Sequence, residues 1–136
     1  MTNSRTWGLQ AALFSCFALL AGPVLAAPFT PGNVVVYRVG TGSSALTING
    51  NAVFLDEYSP SGTLVQSIPM PTVATGAQKA LIASGQAPTD GNLARSEDGS
   101  CLAVPGYGRD LPNAVPVVNA AGIPRVVARV ASAAHA

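Results

Sequence analysis

Few residues in this sequence have side chains suited to catalysis, and the one adjacent acidic pair in a strand-like stretch is badly spaced for it. Asp56 and Glu57 are neighbours in a run of alternating apolar and polar residues. A general acid–base pair needs two carboxyl groups aimed at one bond, about 5–10 Å apart. Neighbours on a β-strand point to opposite faces of the sheet. The two carboxylates are therefore predicted not to share a site, with one solvated and the other hydrogen-bonded to a turn.

A cysteine nucleophile also lacks a partner. Cys101 lies beside Leu102 in a strand-like run, which favours a small, buried, apolar role. An activated thiol would need an adjacent base. The only histidine is His135, at the C-terminus, where chains usually fray. Nitrogen- or sulfur-ligated metals would need more histidine and cysteine than this.

Three loops carry oxygen-rich or glycine-rich motifs that turn formation explains. Residues 90–92 (Asp-Gly-Asn) and 98–99 (Asp-Gly) offer oxygen ligands for calcium, but neither continues into the twelve-residue loop of an EF-hand. Residues 40–44 contain Gly-x-Gly without the strand-to-helix unit of a dinucleotide site. The sequence therefore predicts no catalytic residue, no cofactor-binding residue and no metal ligand.

The remaining binding candidates are aromatic and cationic. Tyrosine and arginine are enriched where proteins contact ligands and partners. They could form an exposed ligand-binding surface here; the alternative is ordinary strand packing with a solvated tip. The residues concerned are Tyr37, Tyr58, Tyr107, Arg38, Arg95 and Arg109.

The elements that must position these side chains are predicted to be short antiparallel strands. Residues 52–70 form the clearest hairpin: Val53, Leu55 and Glu57 share one face of the first arm. A Ser-Pro-Ser-Gly turn over residues 59–62 connects to the return arm, because proline presets φ and glycine accepts a positive φ. Pro69 and Pro71 are expected to end that arm.

Further strands follow the same pattern. Residues 34–39 are rich in valine, which indicates a strand buried on both faces, with Arg38 near solvent. Residues 81–83 fit either a short strand or one helical turn. The Asp-Gly turn at 98–99 predicts a hairpin between residues 93–96 and 100–104, and residues 125–130 are the last predicted strand.

Residues 1–26 are predicted to be a secretory signal peptide. Arg5 supplies the positive start, residues 9–20 the apolar stretch, and cleavage is expected after Ala26. A transmembrane anchor is the alternative, although spanning a bilayer takes about 20 apolar residues. Cys16 lies in a poor match to a lipoprotein motif. The protein is thus expected to be secreted or periplasmic, with a β-rich domain over residues 27–136.

Composition excludes several classes of partner. Only 10% of residues are charged, against roughly 25% in soluble domains. Seven basic and six acidic residues nearly balance. Nucleic acid binding would need a cluster of Lys and Arg residues, and the sequence contains no such cluster. No membrane association is expected once the signal peptide is removed.

The order of strands and turns resembles the N-terminal part of secreted bacterial β-propeller-like repeat proteins of unassigned function. The residues that carry the resemblance are 31–38, 53–58, 91–96, 98–99 and 106–107. The resemblance implies blades of four antiparallel strands whose ring closure protects their edges. A closed ring needs several blades of roughly 40–50 residues, so the chain is expected to be a truncated portion with open edges that can pair with other strands. A small β-sandwich is the competing architecture.

Two functional hypotheses follow. The first is an exported, non-enzymatic binding or surface-interaction module, or a remnant of one. The second is the N-terminal fragment of an extracellular propeller-type hydrolase or lyase whose catalytic residues lie elsewhere.

Overall fold

The computed structural model describes residues 27–118 and 121–131, and within them the fold is all-β with no helix. The predicted signal peptide over residues 1–26 lies outside the described residues. No helix of the described chain is long and apolar enough to span a bilayer. The strands are β1 (Val34–Val39), β2 (Asn51–Tyr58), β3 (Leu64–Pro69), β4 (Ile82–Ala83), β5 (Ala94–Arg95), β6 (Cys101–Tyr107) and β7 (Arg125–Ala131).

The predicted hairpin is confirmed as β2 and β3. The strands are antiparallel, with Leu55 opposite Ile68, and the register shifts after Glu57. Gly62 has a φ of 81°, a left-handed conformation that suits glycine at this turn. Along β2, Val53, Leu55 and Glu57 on the predicted face are all fully buried, and Asp56 on the opposite face is buried as well.

β1 completes an up-and-down ribbon of three strands. It pairs antiparallel with β2 from Val34 opposite Tyr58 to Val39 opposite Val53. The prediction that β1 is buried on both faces was wrong, because Val34 is 58% exposed and Val36 is 43% exposed. Valine-rich sequence favours a strand regardless of its burial, and here only the face that carries Val35 packs on the core.

The second half of the sheet is built around β6. β4 pairs with both β2 and β6, with Ile82 opposite Ala52 on one side and Tyr107 on the other. Of the two alternatives for residues 81–83, the short strand is confirmed and the helical turn is wrong. β5 and β7 flank β6 in antiparallel register. The Asp-Gly hairpin is confirmed, and Asp98 Oδ1 stabilises its turn by accepting bonds from Ser96 Oγ (2.6 Å) and Ser100 N (2.9 Å).

Both halves of the sheet bury their inner faces in one core. β1 contributes Val35 and Val39 to it, and β7 contributes Val126 and Val130. Strands at the two far ends of the sheet therefore contact the same cluster, and the sheet must fold over itself. The buried members of this core are Phe29, Val53, Leu55, Met70, Leu81, Ala83 and Val104.

A smaller apolar cluster lies beside β4. Ile82, Tyr107 and Val117 are its buried members, with Leu111 and Ile123 packed against them. It anchors the long connection between β6 and β7, together with hydrogen bonds from Leu111 N to Thr72 O and from Val117 N to Ile48 O. The end of β6 is thereby fixed next to the start of β7.

Candidate functional site

A pocket of about 290 Å³ opens between β1, the loop at residues 89–92, the end of β6 and the start of β7. Tyr107 reaches it as the last residue of β6, and its register partner Arg125 reaches it as the first residue of β7. The side chains that define its chemistry are Tyr37, Asp90, Asn92, Pro105, Tyr107 and Arg125.

Tyr37 forms a fixed wall of this pocket. Its hydroxyl donates to the carbonyl oxygen of Pro105 at 3.0 Å, which joins β1 to β6 across the fold. Its ring lies directly against Gly91, where an added Cβ would be 2.8 Å from the ring, and Gly91 also has a φ of 90°. Glycine is thus required here for both space and backbone conformation.

Asp90 and Arg125 place opposite charges at the rim of the pocket. The Asp90 backbone N–H donates to Ala87 O (3.1 Å), which forms the turn that presents its side chain. Arg125 Nη1 lies 3.5 Å from Asp90 Oδ1, and the Arg125 side chain is 61% exposed. The guanidinium also stacks 4.0 Å from the centre of the Tyr107 ring. An exposed ion pair contributes little stability, so its main effect is to orient both groups.

Two buried polar atoms at this pocket, one on Asp90 and one on Tyr107, have no partner in hydrogen-bonding geometry, although the two groups lie close enough to interact with each other. They are Asp90 Oδ2 and the Tyr107 hydroxyl oxygen, and no other such side-chain atom is found among the described residues. A buried polar group without a partner costs about 1–3 kcal/mol. The pocket is therefore the place in the described fold where polar binding capacity is left unused.

Burial and negative charge keep both phenols of the pocket protonated. Burial, followed by the Asp90 carboxylate and Tyr107, raises the pKa of Tyr37 to about 12. Burial, followed by hydrogen bonding with Asp90 and by the charge of Asp90, also raises the pKa of Tyr107. At neutral pH the Tyr107 hydroxyl therefore carries a proton that it can donate.

The residues that line the pocket supply few groups with acid–base chemistry. They include one carboxylate and no histidine, cysteine or lysine. General acid–base work on a glycosidic bond needs a second carboxyl group, and nucleophilic catalysis needs an adjacent base. In the described residues, no group of three or more His, Cys, Asp or Glu side chains could hold a metal ion.

Asp56 and Glu57 lie apart from the pocket and, as predicted, share no partner. The expectation that one would be solvated was wrong, because Asp56 is 3% exposed and Glu57 is completely buried. Asp56 forms a two-point ion pair with Arg38 and accepts a bond from Ser67 Oγ. These contacts, that to Arg38 first, lower the pKa of Asp56.

Glu57 connects the N-terminal segment to the β2–β3 hairpin. Its Oε1 accepts bonds from Thr30 N and Asn33 Nδ2, both at 2.7 Å, and its Oε2 accepts a bond from Gln66 Nε2 at 2.6 Å. Burial on its own would raise the pKa of Glu57, but these donors outweigh it and the pKa is lowered. Glu57 is thus an ionised structural group.

The tyrosines and arginines proposed as one surface are separated by the fold. Tyr37 and Tyr107 meet at the pocket, although Tyr107 is only 1% exposed and is no surface residue. The others are not part of the pocket: Tyr58, Arg38, Arg95 and Arg109.

Asp90 and Arg125 line the pocket, which the sequence does not predict. The sequence indicates only a turn at Asp90, which is correct for its backbone, and the start of the last strand at Arg125. The polar cluster at residues 90–92 was the one local signal.

Cys101 differs from its predicted environment. It is a free, half-buried cysteine, whereas the sequence favoured complete burial. Ser96, followed by Arg129, lowers the pKa of its thiol through hydrogen bonding. The difference arises because the first three residues of β6 are all half-buried and Cys101 lies beside the polar groups of Ser96 and Arg129.

The pocket is the structural feature on which functional inference depends. No protein-family model, curated protein or solved structure matches this chain.

Proposed function

We propose that this chain is an exported, non-enzymatic, β-rich binding module whose ligand occupies the pocket between Tyr37 and Arg125. The observation that carries this proposal is the pair of buried, unpartnered atoms at the pocket, Asp90 Oδ2 and the Tyr107 hydroxyl. The pocket is also concave and mostly lined by apolar atoms with a few polar groups, which is typical of small-molecule sites.

The contrast with Glu57 strengthens this interpretation. Glu57 shows that the fold can satisfy a buried carboxylate completely, with three donors on two oxygens. At the pocket, a donor and an acceptor remain open although each costs folding free energy. Such a cost is expected where a ligand completes the hydrogen bonds.

A conservative substitution tests the binding proposal. We expect Tyr107→Phe to keep the free energy of unfolding or to raise it by up to about 1–3 kcal/mol, because it removes an unsatisfied buried hydroxyl. Tyr58→Phe, at the half-buried end of β2, is the matched control and should change little. Urea denaturation followed by circular dichroism measures both. A loss of more than about 1 kcal/mol in Tyr107→Phe would show that the hydroxyl makes a structural hydrogen bond, and would refute the binding site.

Export is proposed from the sequence of residues 1–26. The apolar stretch between Arg5 and Ala26 supports it. Expression of the full reading frame in a bacterial host, followed by N-terminal sequencing of the product, tests it. We expect a product that begins at Ala27 outside the cytoplasm; an unprocessed cytoplasmic chain would contradict export.

The resemblance to propeller-like repeat proteins stays a prediction. The ribbon of β1, β2 and β3 has the up-and-down order with which a blade would begin. A fourth blade strand would pair with β3, whereas β4 pairs with β2 and β6. The pocket depends on this second pairing, so the proposed binding role does not require ring closure.

A further inference from the structure

We propose that the pocket binds a neutral, polyhydroxylated ligand the size of one sugar residue, with a ligand hydroxyl bridging Tyr107 and Asp90. This inference rests on the proposed function and specifies the chemistry of its ligand. It is argued from the charge, the open hydrogen-bonding atoms and the size of the pocket.

The charges of the pocket favour a neutral ligand. Asp90 and Arg125 are the charged residues that line it, and they are paired at 3.5 Å. Asp90 would repel a negatively charged ligand, and Arg125 would repel a positively charged ligand. Either ion would also lose hydration on entering a half-enclosed site without a net opposite charge to compensate.

The open hydrogen-bonding atoms favour a hydroxyl group. The Tyr107 hydroxyl is a donor, held protonated as described above, and Asp90 Oδ2 is an acceptor. A ligand hydroxyl can accept from the first and donate to the second with the same oxygen atom. A carboxylate or phosphate ester dianion has no proton to donate, and an ammonium group has no lone pair to accept.

The size and the walls favour a single ring. A volume of about 290 Å³ lies just below the roughly 300–1,000 Å³ found for ligand pockets, which suits a small ligand. Tyr37, Ala83 and Pro105 supply apolar walls. A sugar ring presents C–H groups to such walls and hydroxyls to the polar rim. Asn92 and the exposed guanidinium of Arg125 remain at the rim for further hydroxyls.

The experiment uses protein produced from the full reading frame. The probes are methyl glycosides of glucose, galactose, mannose and N-acetylglucosamine, compared with cyclohexanecarboxylate and cyclohexylammonium at equal millimolar concentration. Saturation-transfer NMR detects binding, and a titration of tyrosine fluorescence measures affinity; the sole tryptophan, Trp7, lies in the predicted signal peptide. We expect at least one glycoside to bind more tightly than either charged probe.

Two variants connect binding to the proposed atoms. Asp90→Asn and Tyr107→Phe are each expected to weaken glycoside binding about tenfold, equivalent to ~1.4 kcal/mol. Glu97→Gln and Tyr58→Phe are the matched controls outside the pocket and should leave affinity unchanged. Circular dichroism verifies that each variant is folded.

The outcomes separate the ligand class from the binding role. Tighter binding of either charged probe, equal glycoside binding by Asp90→Asn, or no glycoside binding overturns the hydroxyl ligand. If any one of these results is obtained while Tyr107→Phe is as stable as the parent, the proposed binding role is retained and only the proposed ligand class is refuted. If Tyr107→Phe is also destabilised, both proposals fail.

Discussion

Glu57 and Asp90 each bury a carboxylate oxygen, yet only Glu57 has both oxygens satisfied. Three donors hold Glu57, and they outweigh the effect of burial on its pKa. Asp90 keeps one oxygen open and faces two phenols whose pKa values it raises. A carboxylate group therefore stabilises the fold at Glu57 and is an open acceptor at Asp90, and the difference lies in the donors that surround it.

Removing the charge of Glu57 should destabilise the fold. In Glu57→Gln, an amide N–H₂ faces at least one of the former donors, leaving it unsatisfied at a cost of about 1–3 kcal/mol. Glu97→Gln, at an exposed position, should stay within ~0.5 kcal/mol of the parent. Urea denaturation at neutral pH measures both. Equal stability of the two variants would contradict the structural role of Glu57.

Stability should also fall in acid. The pKa values of Asp56 and Glu57 are lowered from the ordinary values of 3.8 and 4.5. A lowered folded-state pKa contributes stability above the unfolded-state value, and that stability is lost as the pH falls through the folded-state value. Denaturation midpoints should therefore decline below about pH 4.5, and less steeply in Glu57→Gln. A parent midpoint that is constant down to pH 2 would refute this assignment.

The Tyr37 phenol should ionise late. With a pKa of about 12, against an ordinary 10.0, its neutral form is favoured by the fold. The stability it contributes is complete below pH 10 and is lost as the pH rises toward 12. Ultraviolet titration of tyrosinate should show a late phase that is smaller in Tyr37→Phe, where Tyr107, whose pKa is also raised, still contributes. A late phase of unchanged size in that variant would contradict the assignment to Tyr37.

At the scale of elements, the turns and the strand contacts were not equally predictable. The Ser-Pro-Ser-Gly and Asp-Gly turns are local, because the residues that need the special conformation sit within the turn itself. Which faces of β1 are buried depends on what packs against the strand. The run of valines therefore led to the wrong prediction that both faces are buried. The pairing of β4 with both β2 and β6 is likewise a tertiary result.

Close packing of β4 on β6 should make Gly106 intolerant of a side chain. An added Cβ would lie 2.7 Å from Leu81 Cγ and 3.0 Å from the carbonyl oxygen of Ile82. We expect Gly106→Ala to lose about 1–3 kcal/mol through overpacking. Gly62→Ala, which meets nothing within 4 Å, should lose only the roughly 1–2 kcal/mol of a left-handed conformation. Thermal unfolding measures both variants; a loss below about 1 kcal/mol in Gly106→Ala would contradict the close approach.

At the scale of the molecule, one core joins the two halves of the sheet. Leu55 on β2 belongs to the same cluster as Val126 and Val130 on β7. Strands that do not pair are therefore coupled through side-chain packing. The described residues should accordingly unfold as one cooperative unit.

Leu55→Ala tests this coupling. Truncating a buried leucine costs about 2–5 kcal/mol, and hydrogen-exchange protection should fall in β7 as well as in β1–β3. Val65→Ala, with Val65 51% exposed, is the matched control and should change stability by ~0.5 kcal/mol at most. Unchanged protection in β7 would show that the two halves fold independently.

The sequence by itself determined the all-β class, the β2–β3 and β5–β6 hairpins and the separation of Asp56 from Glu57. These features follow from alternation along a strand and from turn residues a few positions apart. The tertiary structure alone decided the shared core, the hydrogen bonds to Glu57 and the pocket. Tyr37, Asp90, Tyr107 and Arg125 come from four separate segments, and their meeting depends on how the sheet folds over its core, which no local pattern encodes.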